Sequence, residues 1–289
     1  MTIFNLGSIN IDHFYRVPHL PAPGETLAAT GYAFGLGGKG ANQSAAAAKA
    51  GARTVHIGAV GPEGAWTVDR LKSWGVDTAQ IVTLDMPTGH AVVQIDDRGE
   101  NAIILCPSAN RAIPFDHVEH ALTSARPGDT LLLQNETDHQ ADAARHAREK
   151  GLSVIYSAAP FDPEAVRAVL PFVSLLVLNA VEAQQLSAAL ATPVESLDVP
   201  ELLITRGAEG AEWRQRGGAR AFAPALSVTA VDTTGAGDTF AGYFAAGLDL
   251  GRAPEDALQW AATAAALKVT RPGTADAIPT AAEVAAFRA

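Results

Sequence analysis

The chain has 289 residues, of which 48% are hydrophobic and 18% charged, with a formal net charge of −10 and a single cysteine, Cys106. This composition is typical of a folded globular protein with a large core, and the acidic charge argues against nucleic-acid or anionic-membrane binding, which needs clustered Lys and Arg. One cysteine cannot form an internal disulfide, no apolar run approaches the ~18 residues of a membrane helix, and no basic segment opens the chain, so we expect a cytoplasmic protein without a membrane segment.

Short apolar runs with a strand-like composition alternate with helical segments along most of the chain. The predicted strands are 2–9, 54–60, 129–134, 152–157, 174–179 and 201–206, and the helices between them include 41–51, 139–151 and 162–170. The alanine-rich last third predicts helices at 236–250, 255–270 and 280–288. This alternation is typical of a parallel sheet covered by helices on both faces. We therefore predict an α/β fold, a three-layer α/β/α Rossmann-like arrangement around a mostly parallel sheet.

Two stretches, 12–35 and 89–106, interrupt the alternation. The first contains prolines and glycines with brief extended runs, and the second predicts a hairpin, GHAVVQI and NAIILC around the turn DDRGE. We predict that both belong to one small antiparallel sheet that projects from a single domain spanning 1–289. The pattern fits a lid over a ligand cleft and a decoration of the sheet edge about equally well.

The segment SINIDH (8–13) is predicted at the carboxyl end of the first strand, the edge where open α/β sheets bind ligands. Asn10 and Asp12 alternate along it and therefore point to the same face of an extended chain. An amide and a carboxylate on one face suit the paired hydroxyls of a sugar. Taken alone, an ordinary surface strand end is the better explanation of these residues.

The segment GLGGKGANQS (35–44) resembles a phosphate-binding P-loop at first sight, but Lys39 is followed by Gly40 instead of Ser or Thr, and Ala33 stands at the position of the first glycine. No GxGxxG follows the first strand, so a dinucleotide fingerprint is also excluded. One interpretation is a glycine turn that presents Lys39 and Asn42 to a small polar ligand. The alternative, a plain helix start with Asn42 in its first turn, is about equally plausible.

Polar residues and glycines follow three further predicted strands: Glu136 in LLLQNET, the segment NAVE (179–182) and the segment TRGAEGAEW (205–213). Each is an ordinary loop by itself. Because the carboxyl ends of parallel strands meet at one edge of a sheet, the three loops together indicate a ligand site there.

The segment AVDTTGAGDTFAGYF (230–244) puts Asp238 where a glycine-rich turn becomes a helix. A helix N-terminus carries unpaired N–H groups and partial positive charge, and it therefore suits an anion. An aspartate at this position is either a helix cap or a base held beside a bound phosphate, and the segment by itself leaves both open.

The two segments GGKGANQ and DTTGAGDTFAG resemble the two signatures of the ribokinase-like (PfkB) family of carbohydrate kinases. The segments LGSINIDH and PAPGETL are also similar to that family, and the resemblance runs from Leu6 to Pro279 with all motifs in order. It implies that Asp238 is the catalytic base, which takes the proton from the attacking substrate hydroxyl. It also implies that the backbone N–H groups of Gly235, Ala236 and Gly237 form an anion hole for the transferred phosphoryl group.

The same resemblance assigns the remaining site residues. The sugar-contacting positions of the family match Asn10, Asp12, Gly38, Lys39, Asn42 and Glu136. The nucleotide contacts match Asn179, Gly237 and the loop Thr205–Gly210 with Arg206 and Gly207, while Glu182 completes an NxxE element linked to Mg²⁺ and phosphate. A monovalent cation, usually potassium, is implied at Asp232 and Thr234, with backbone carbonyls of Lys268, Arg271 and Gly273 as further ligands.

Two positions depart from the family pattern. Ala262 stands where the family's ribose kinases commonly carry a histidine beside the adenine, and Ala277 stands where they often carry a serine ligand of the potassium ion. We expect the first change to remove a stacking contact. The second change leaves the cation site weaker or completed by water.

The resemblance implies an ATP-dependent kinase that phosphorylates a primary hydroxyl of a pentose, with D-ribose at O5 as the leading hypothesis. Another substrate of the family (a hexose, a sugar acid or a nucleoside) is the alternative, because lid residues and pocket shape set substrate choice. A silent sugar- or nucleotide-binding regulator would not need Asp238 with Gly235–Gly237, and a purely structural domain would not need the clustered strand-end residues. A lid that closes over the site and a homodimer through the lid sheet are further expectations.

Overall fold

The computed structural model describes residues 1–288. Its strands in chain order are β1 (Thr2–Leu6), β2 (Asn10–Arg16), β3 (Gly31–Gly37), β4 (Arg53–Val60), β5 (Asp77–Thr83), β6 (Gly89–Ile95), β7 (Asn101–Cys106), β8 (Thr130–Gln134), β9 (Ser153–Ser157), β10 (Leu175–Asn179), β11 (Glu201–Thr205), β12 (Ala211–Gln215) and β13 (Arg220–Ala223). Its α-helices are α1 (Lys39–Lys49), α2 (Ala65–Ser73), α3 (Phe115–Ala121), α4 (Gln140–Glu149), α5 (Pro163–Val169), α6 (Ala180–Leu190), α7 (Ala236–Asp249), α8 (Pro254–Val269) and α9 (Ala281–Ala286).

The main sheet has the strand order β13-β12-β11-β10-β9-β8-β1-β4-β5. All its neighbouring strands are parallel except β11–β12 and β12–β13, which are antiparallel. Successive side chains of β1 alternate between two apolar cores: Ile3 packs with residues of α1, α7 and α8, and Phe4 packs with residues of α3, α4, α5 and α6. The predicted three-layer α/β/α fold with a mostly parallel sheet is therefore confirmed.

Helix α7 crosses α1 at very short range. A Cβ atom on Gly242 of α7 would lie 2.5 Å from the Ala46 Cβ and 2.6 Å from the Gln43 carbonyl oxygen of α1, so only glycine allows this approach. Asp238 lies one helical turn before Gly242 and therefore faces the first turn of α1. The predicted close packing of alanine-rich helices brings this carboxylate against the GANQS segment.

The small sheet has the strand order β3-β2-β6-β7, and it is called the lid sheet below. Its outer pairs, β2–β3 and β6–β7, are antiparallel as predicted, but the central pair β2–β6 is parallel. The expectation of a purely antiparallel sheet was therefore wrong in this respect. The cause is the connectivity: β2 follows β1 and β6 follows β5 of the parallel main sheet, so both leave the main sheet in the same direction, and each returns through its own hairpin.

The SINIDH segment lies differently from the prediction. Strand β1 ends at Leu6 and a new strand begins at Asn10, so Asn10 and Asp12 belong to the lid sheet instead of the first strand of the main sheet. Among residues 1–288, no helix combines the length and the apolar character that crossing a membrane requires.

Candidate active site

One carboxylate oxygen joins three segments at the carboxyl edge of the main sheet. Glu136, which follows β8, accepts hydrogen bonds at Oε2 from the Ser8 hydroxyl (2.5 Å) and from the Lys39 backbone N–H (2.9 Å). Ser8 follows β1, and Lys39 is the first residue of α1. Gly38, just before α1, has φ +91°, and a Cβ there would lie 2.9 Å from the Ser8 carbonyl oxygen, so this turn requires glycine. The predicted site residues Gly38, Lys39 and Glu136 are thus brought together.

Asp238 lies buried in the first turn of α7, and both of its carboxylate oxygens are held by side-chain amides of α1. Asn42 Nδ2 donates to Asp238 Oδ2 at 2.9 Å, and Gln43 Nε2 donates to Oδ1 at 3.0 Å. The carboxylate is therefore fixed in orientation by two neutral donors. The other polar atom of the Asn42 amide, Oδ1, is buried and has no hydrogen-bond partner within residues 1–288. A buried acceptor without a donor indicates a place for a ligand hydroxyl.

A chain of buried, neutral side chains supports Gln43. The Gln134 amide donates to Gln43 Oε1 (2.8 Å) and to Asn5 Oδ1 (2.9 Å), and Asn5 donates to the Ser44 hydroxyl (2.8 Å). Ser44 in turn contacts Nδ1 of His56 at 2.8 Å. Residues of α1 and of strands β1, β4 and β8 thus hold the carboxylate of Asp238 in place through hydrogen bonds alone.

His56 ends this chain as a neutral imidazole. Burial lowers the pKa of His56 to about 4, although the hydrogen bond to the Gly7 carbonyl opposes the shift. Because that carbonyl (3.0 Å from Nε2) only accepts, Nε2 carries the proton and Nδ1 accepts from Ser44. Gln43, Gln134, Asn5 and His56 were not assigned from the sequence. Gln43 stands inside the segment GLGGKGANQS and Gln134 inside the segment LLLQNET. The available signal was Gln134, a polar residue at the end of an otherwise apolar strand.

Lys39 is surrounded by carboxylates. Asp238 makes the largest favourable contribution to its raised pKa, burial opposes the shift, and Glu136 and Glu182 add to it. The lid sheet adds Asp12, whose pKa is raised to about 7 by burial and by the neighbouring charge of Glu136. Asp12 lies directly over β3, since a Cβ on Gly37 would fall 1.8 Å from its Oδ2. These groups form a polar pocket in which carboxyl groups outnumber the one ammonium group.

Asn10 lies at the base of the lid sheet, beside a residue that sequence reasoning missed. Asn110 donates to Asn10 Oδ1 at 2.8 Å, and its own Oδ1 accepts the Ile9 backbone N–H at 2.9 Å. Asn110 therefore fixes the orientation of the Asn10 amide, so that the side-chain N–H groups of Asn10 can donate to a ligand. The pocket now includes the predicted residues of β2, α1 and the loop after β8.

The N-terminus of α7 borders a second, different cavity. Gly235 adopts a left-handed conformation (φ +72°) just before the helix, and the Ala236 N–H donates to the Thr233 carbonyl at 3.2 Å. The space around Gly237 is open, because nothing lies within 4 Å of where its Cβ would be. Of the three predicted anion-hole donors, that of Ala236 is thus shared with the preceding turn.

The cavity has a volume of about 330 Å³ and mainly apolar walls. Its lining residues come from the loop after β11, from 225–233, from the start of α7 and from α8, and they are Thr205, Gly207, Ala208, Gly210, Ala225, Leu226, Val228, Ala230, Thr233, Ala236, Gly237, Phe240, Ala262, Ala265, Ala266 and Val269. Such walls suit a flat aromatic ring. Arg206, predicted with this loop, is not a lining residue, and its guanidinium lies 3.7 Å from the Glu212 carboxylate.

Asn179 and Glu182 cap α6 reciprocally. The Asn179 side chain accepts the Glu182 N–H (2.8 Å), and Glu182 Oε2 accepts the Asn179 N–H (2.8 Å). Burial raises the pKa of Glu182 above its ordinary value, while the backbone hydrogen bond and the charge of Lys39 lower it. The capping box therefore holds the carboxylate of Glu182 where it interacts with Lys39 and Asp238. Neither Asn179 nor Glu182 lines the apolar cavity.

The predicted cation-binding residues lie around Asp232 and the end of α8. Each carboxylate oxygen of Asp232 accepts a backbone N–H at 2.9 Å, one from Thr234 and one from Gly273, and the Lys268 ammonium donates to the Asp232 carbonyl at 2.9 Å. Burial raises the pKa of Asp232, but these hydrogen bonds and Lys268 hold it below its ordinary value. The Arg271 backbone N–H donates to the Lys268 carbonyl at 3.0 Å, and the Arg271 guanidinium lies 2.8 Å from Glu283 Oε1. The structure thus brings Asp232, Thr234, Lys268 and Gly273 together.

Comparison with known proteins identifies the family. A model of the pfkB family of carbohydrate kinases matches residues 2–281. The ribokinase of Haemophilus influenzae is 33% identical over 301 aligned positions, which cover 99% of this chain and 98% of the relative. Among solved structures, the ribokinase of Cryptococcus neoformans in complex with ADP has a TM-score of 0.89 and 31% identity, covering 99% of this chain and 98% of that one.

A second solved structure contains both substrates of such an enzyme. The ribokinase of Arabidopsis thaliana complexed with ribose and ATP has a TM-score of 0.86 and 29% identity, and it covers 99% of this chain and 97% of that chain. The matches extend over nearly the whole length of each protein. The chain belongs to the pfkB family of carbohydrate kinases and is an ATP-dependent sugar kinase.

Proposed function

We propose that this kinase transfers the γ-phosphoryl group of ATP to a primary hydroxyl of a pentose, namely O5 of D-ribose, and forms ribose 5-phosphate. The observation that carries the proposal is the position of the buried Asp238 carboxylate between the polar pocket under the lid sheet and the N-terminus of α7. The similarity to ribokinases over nearly the full chain supports ribose as the acceptor.

The sugar is proposed to bind in the pocket formed by Asn10, Asp12, Gly38, Lys39, Asn42 and Glu136. These groups offer both donors and acceptors, which paired hydroxyls require. The unpartnered Oδ1 of Asn42 accepts a sugar hydroxyl and thereby removes the cost of a buried, unsatisfied oxygen. Because Asn42 also holds Asp238, the hydroxyl that it binds lies next to the carboxylate.

Asp238 is proposed to act as the general base that takes the proton of the attacking hydroxyl. The two amide donors keep its carboxylate in one orientation, so the base is positioned before the substrate arrives. The N–H groups of Gly235 and Gly237 and the positive end of α7 stabilise the negative charge that spreads over the transferred phosphoryl oxygens. Base and anion hole lie within one helical turn, as an in-line transfer requires.

The nucleotide is proposed to bind with its base in the apolar cavity and its phosphates at the N-terminus of α7. Ala236 and Gly237 line that cavity, so it leads to the anion hole. The Glu182 carboxylate of the capping box is the proposed place for a hydrated Mg²⁺, since its charge interacts with those of Lys39 and Asp238. Mg²⁺ supplies charge neutralisation of the ATP phosphates when bound.

Potassium has no step in the proposed reaction, because the residues present are a poor fit for it. Both carboxylate oxygens of Asp232 already accept backbone N–H groups, and Ala277 offers no side-chain oxygen. The Asp232 carbonyl accepts the ammonium of Lys268. The Lys268 carbonyl, another of the implied ligands, accepts the Arg271 N–H at 3.0 Å.

The test of the function is ADP formation from Mg-ATP with D-ribose and a panel of hexoses, sugar acids and nucleosides. We expect ADP formation that depends on ribose, and we would quantify ADP by chromatography, because this readout works in any salt. Turnover with a different panel member would assign this kinase another substrate of the family. No turnover with any member would leave a binding protein and would refute the proposal.

We expect Asp238→Asn to lower kcat by about 10²–10⁴-fold, because the amide cannot accept the hydroxyl proton. The KM for the sugar should change little, since the shape of the pocket stays the same. Asp249→Asn is the matched control: this carboxylate is also buried in α7, but it lies at the other end of the helix near the chain N-terminus. Near-normal turnover of Asp238→Asn, in a variant that melts like the parent, would exclude the general-base role.

Sugar binding should weaken as the pH falls through about 7, the pKa of Asp12 in the free protein. A raised pKa means that the carboxyl is protonated below this pH, and a protonated carboxyl accepts fewer hydrogen bonds from the sugar hydroxyls. The sugar KM should therefore rise by up to about tenfold per pH unit below the pKa, while the ATP KM stays constant. Steady-state kinetics from pH 5.5 to 8.5 test this, with Asp12→Asn expected to remove the pH dependence. An equally flat sugar KM in both proteins would contradict the role of Asp12.

We further propose a homodimer through the outer face of the lid sheet. Cross-strand neighbours Phe34, His13, Val92 and Ile104 share this face, and Phe34 and Ile104 are 58% and 67% exposed. An apolar sheet face of this kind is stabilised when a second layer covers it. Light scattering should give the mass of a dimer for the parent protein and that of a monomer for Ile104→Lys. Leu250→Lys, which changes an exposed residue of another surface, should remain a dimer. A monomeric parent protein at assay concentration would remove this proposal.

A further inference from the structure

Lys268 is a fully buried lysine with an unusual partner. It lies in the last turn of α8 with none of its surface exposed, and its ammonium donates to the backbone carbonyl of Asp232 at 2.9 Å. Lysine is almost never completely buried unless its charge is compensated. The acidic groups whose charges act on it are Asp232 and Asp238. A positive charge is therefore fixed inside the protein, next to the segment that leads into α7.

The Asp232 segment and the anion hole are one structural unit. Asp232 accepts the N–H groups of Thr234 and Gly273, and only three residues separate it from the start of α7 at Ala236. Any group that fixes the Asp232 carbonyl therefore also fixes the turn whose N–H groups point toward the phosphoryl site.

An ammonium group and a potassium ion have the same charge and both bind carbonyl oxygens. Here the Asp232 carbonyl accepts the Lys268 ammonium, and both Asp232 carboxylate oxygens accept backbone N–H groups. A second monovalent cation beside Lys268 would also meet a like charge at short range, which raises its electrostatic energy. The lysine and the ion are therefore alternatives for one position.

We propose that the Lys268 ammonium takes the place of the monovalent cation in this kinase, as a tethered charge that positions the Asp232–Thr234 segment and the anion hole. Lys268 is in this sense a positioning residue, since it acts through the Asp232 segment and not on the substrates. The inference rests on the proposed phosphoryl transfer. It makes turnover independent of the salt cation.

The first test uses the parent protein in KCl, NaCl and choline chloride at equal ionic strength, which removes differences in screening. We expect the same kcat, the same MgADP affinity by calorimetry and the same melting temperature in all three salts. Activation by KCl over choline chloride, in kcat or in MgADP affinity, would overturn the proposal and requires no variant.

The second test is Lys268→Ala, which removes the charge and leaves room for an ion. In choline chloride we expect kcat to fall at least about tenfold, with the sugar KM largely retained, because the anion hole is disturbed and the sugar pocket is not. KCl should restore part of kcat and raise the melting temperature of this variant, but not of the parent. An equal loss in KCl and in choline chloride would reduce Lys268 to a packing role and overturn the proposal.

Lys49→Ala is the matched control. The Lys49 ammonium also donates to backbone carbonyls, those of Ala275 and Ile278. The charges that act on it are different, namely those of Asp276, Glu283, Arg70 and Arg271. This variant should lose stability without any response to potassium. If no sugar of the panel supports ADP formation, the proposed function fails, whereas the melting and MgADP comparisons still decide the role of Lys268.

Discussion

The contact between α1 and α7 is the constraint on which the site depends. Gly242 allows the two helices to approach until its backbone lies against Ala46 and the Gln43 carbonyl, and one turn earlier Asp238 receives the amides of Asn42 and Gln43. A larger residue at 242 would separate the helices and with them the carboxylate from its donors. The position of the proposed base is thus set by helix packing, and the polar contacts refine its orientation.

Charge around this carboxylate is arranged in two different ways. On the side of the proposed sugar pocket, Lys39 lies among the carboxylates of Asp238, Glu136 and Glu182, and the pKa of Asp12 is raised to about 7. On the interior side, the support is entirely neutral and ends at an uncharged His56. Neutral support places a base accurately without an interior charge that would have to be compensated. The fully buried ammonium of Lys268, which donates to the Asp232 carbonyl, lies next to the segment that leads into α7.

The parallel sheet, the two hairpins and the motif residues could be predicted, because apolar runs, turn residues and glycine signatures are local in the sequence. The parallel pairing of β2 with β6 could not, since it depends on how both strands leave the main sheet. Asn5, Gln134 and His56 lie in apolar strands, where nothing local shows that their side chains meet. For Lys268 the resemblance implied a role of the backbone carbonyl only. The contact of its ammonium with the Asp232 carbonyl could not be predicted, because it depends on where the segment before α7 lies beside α8.

The connectivity of the lid sheet has a mechanical consequence. Strand β2 carries Asp12 on the lid sheet, while Asp238, Asn42 and Lys39 belong to helices packed on the main sheet. Asn110 pins the start of β2 at Ile9 and Asn10, close to the main sheet. Any rotation of the lid sheet therefore pivots near Asn10 and carries Asp12 through the larger arc. Release of the proposed sugar and opening of the cleft are in that case a single movement, whereas the proposed base and anion hole remain in place for the next substrate.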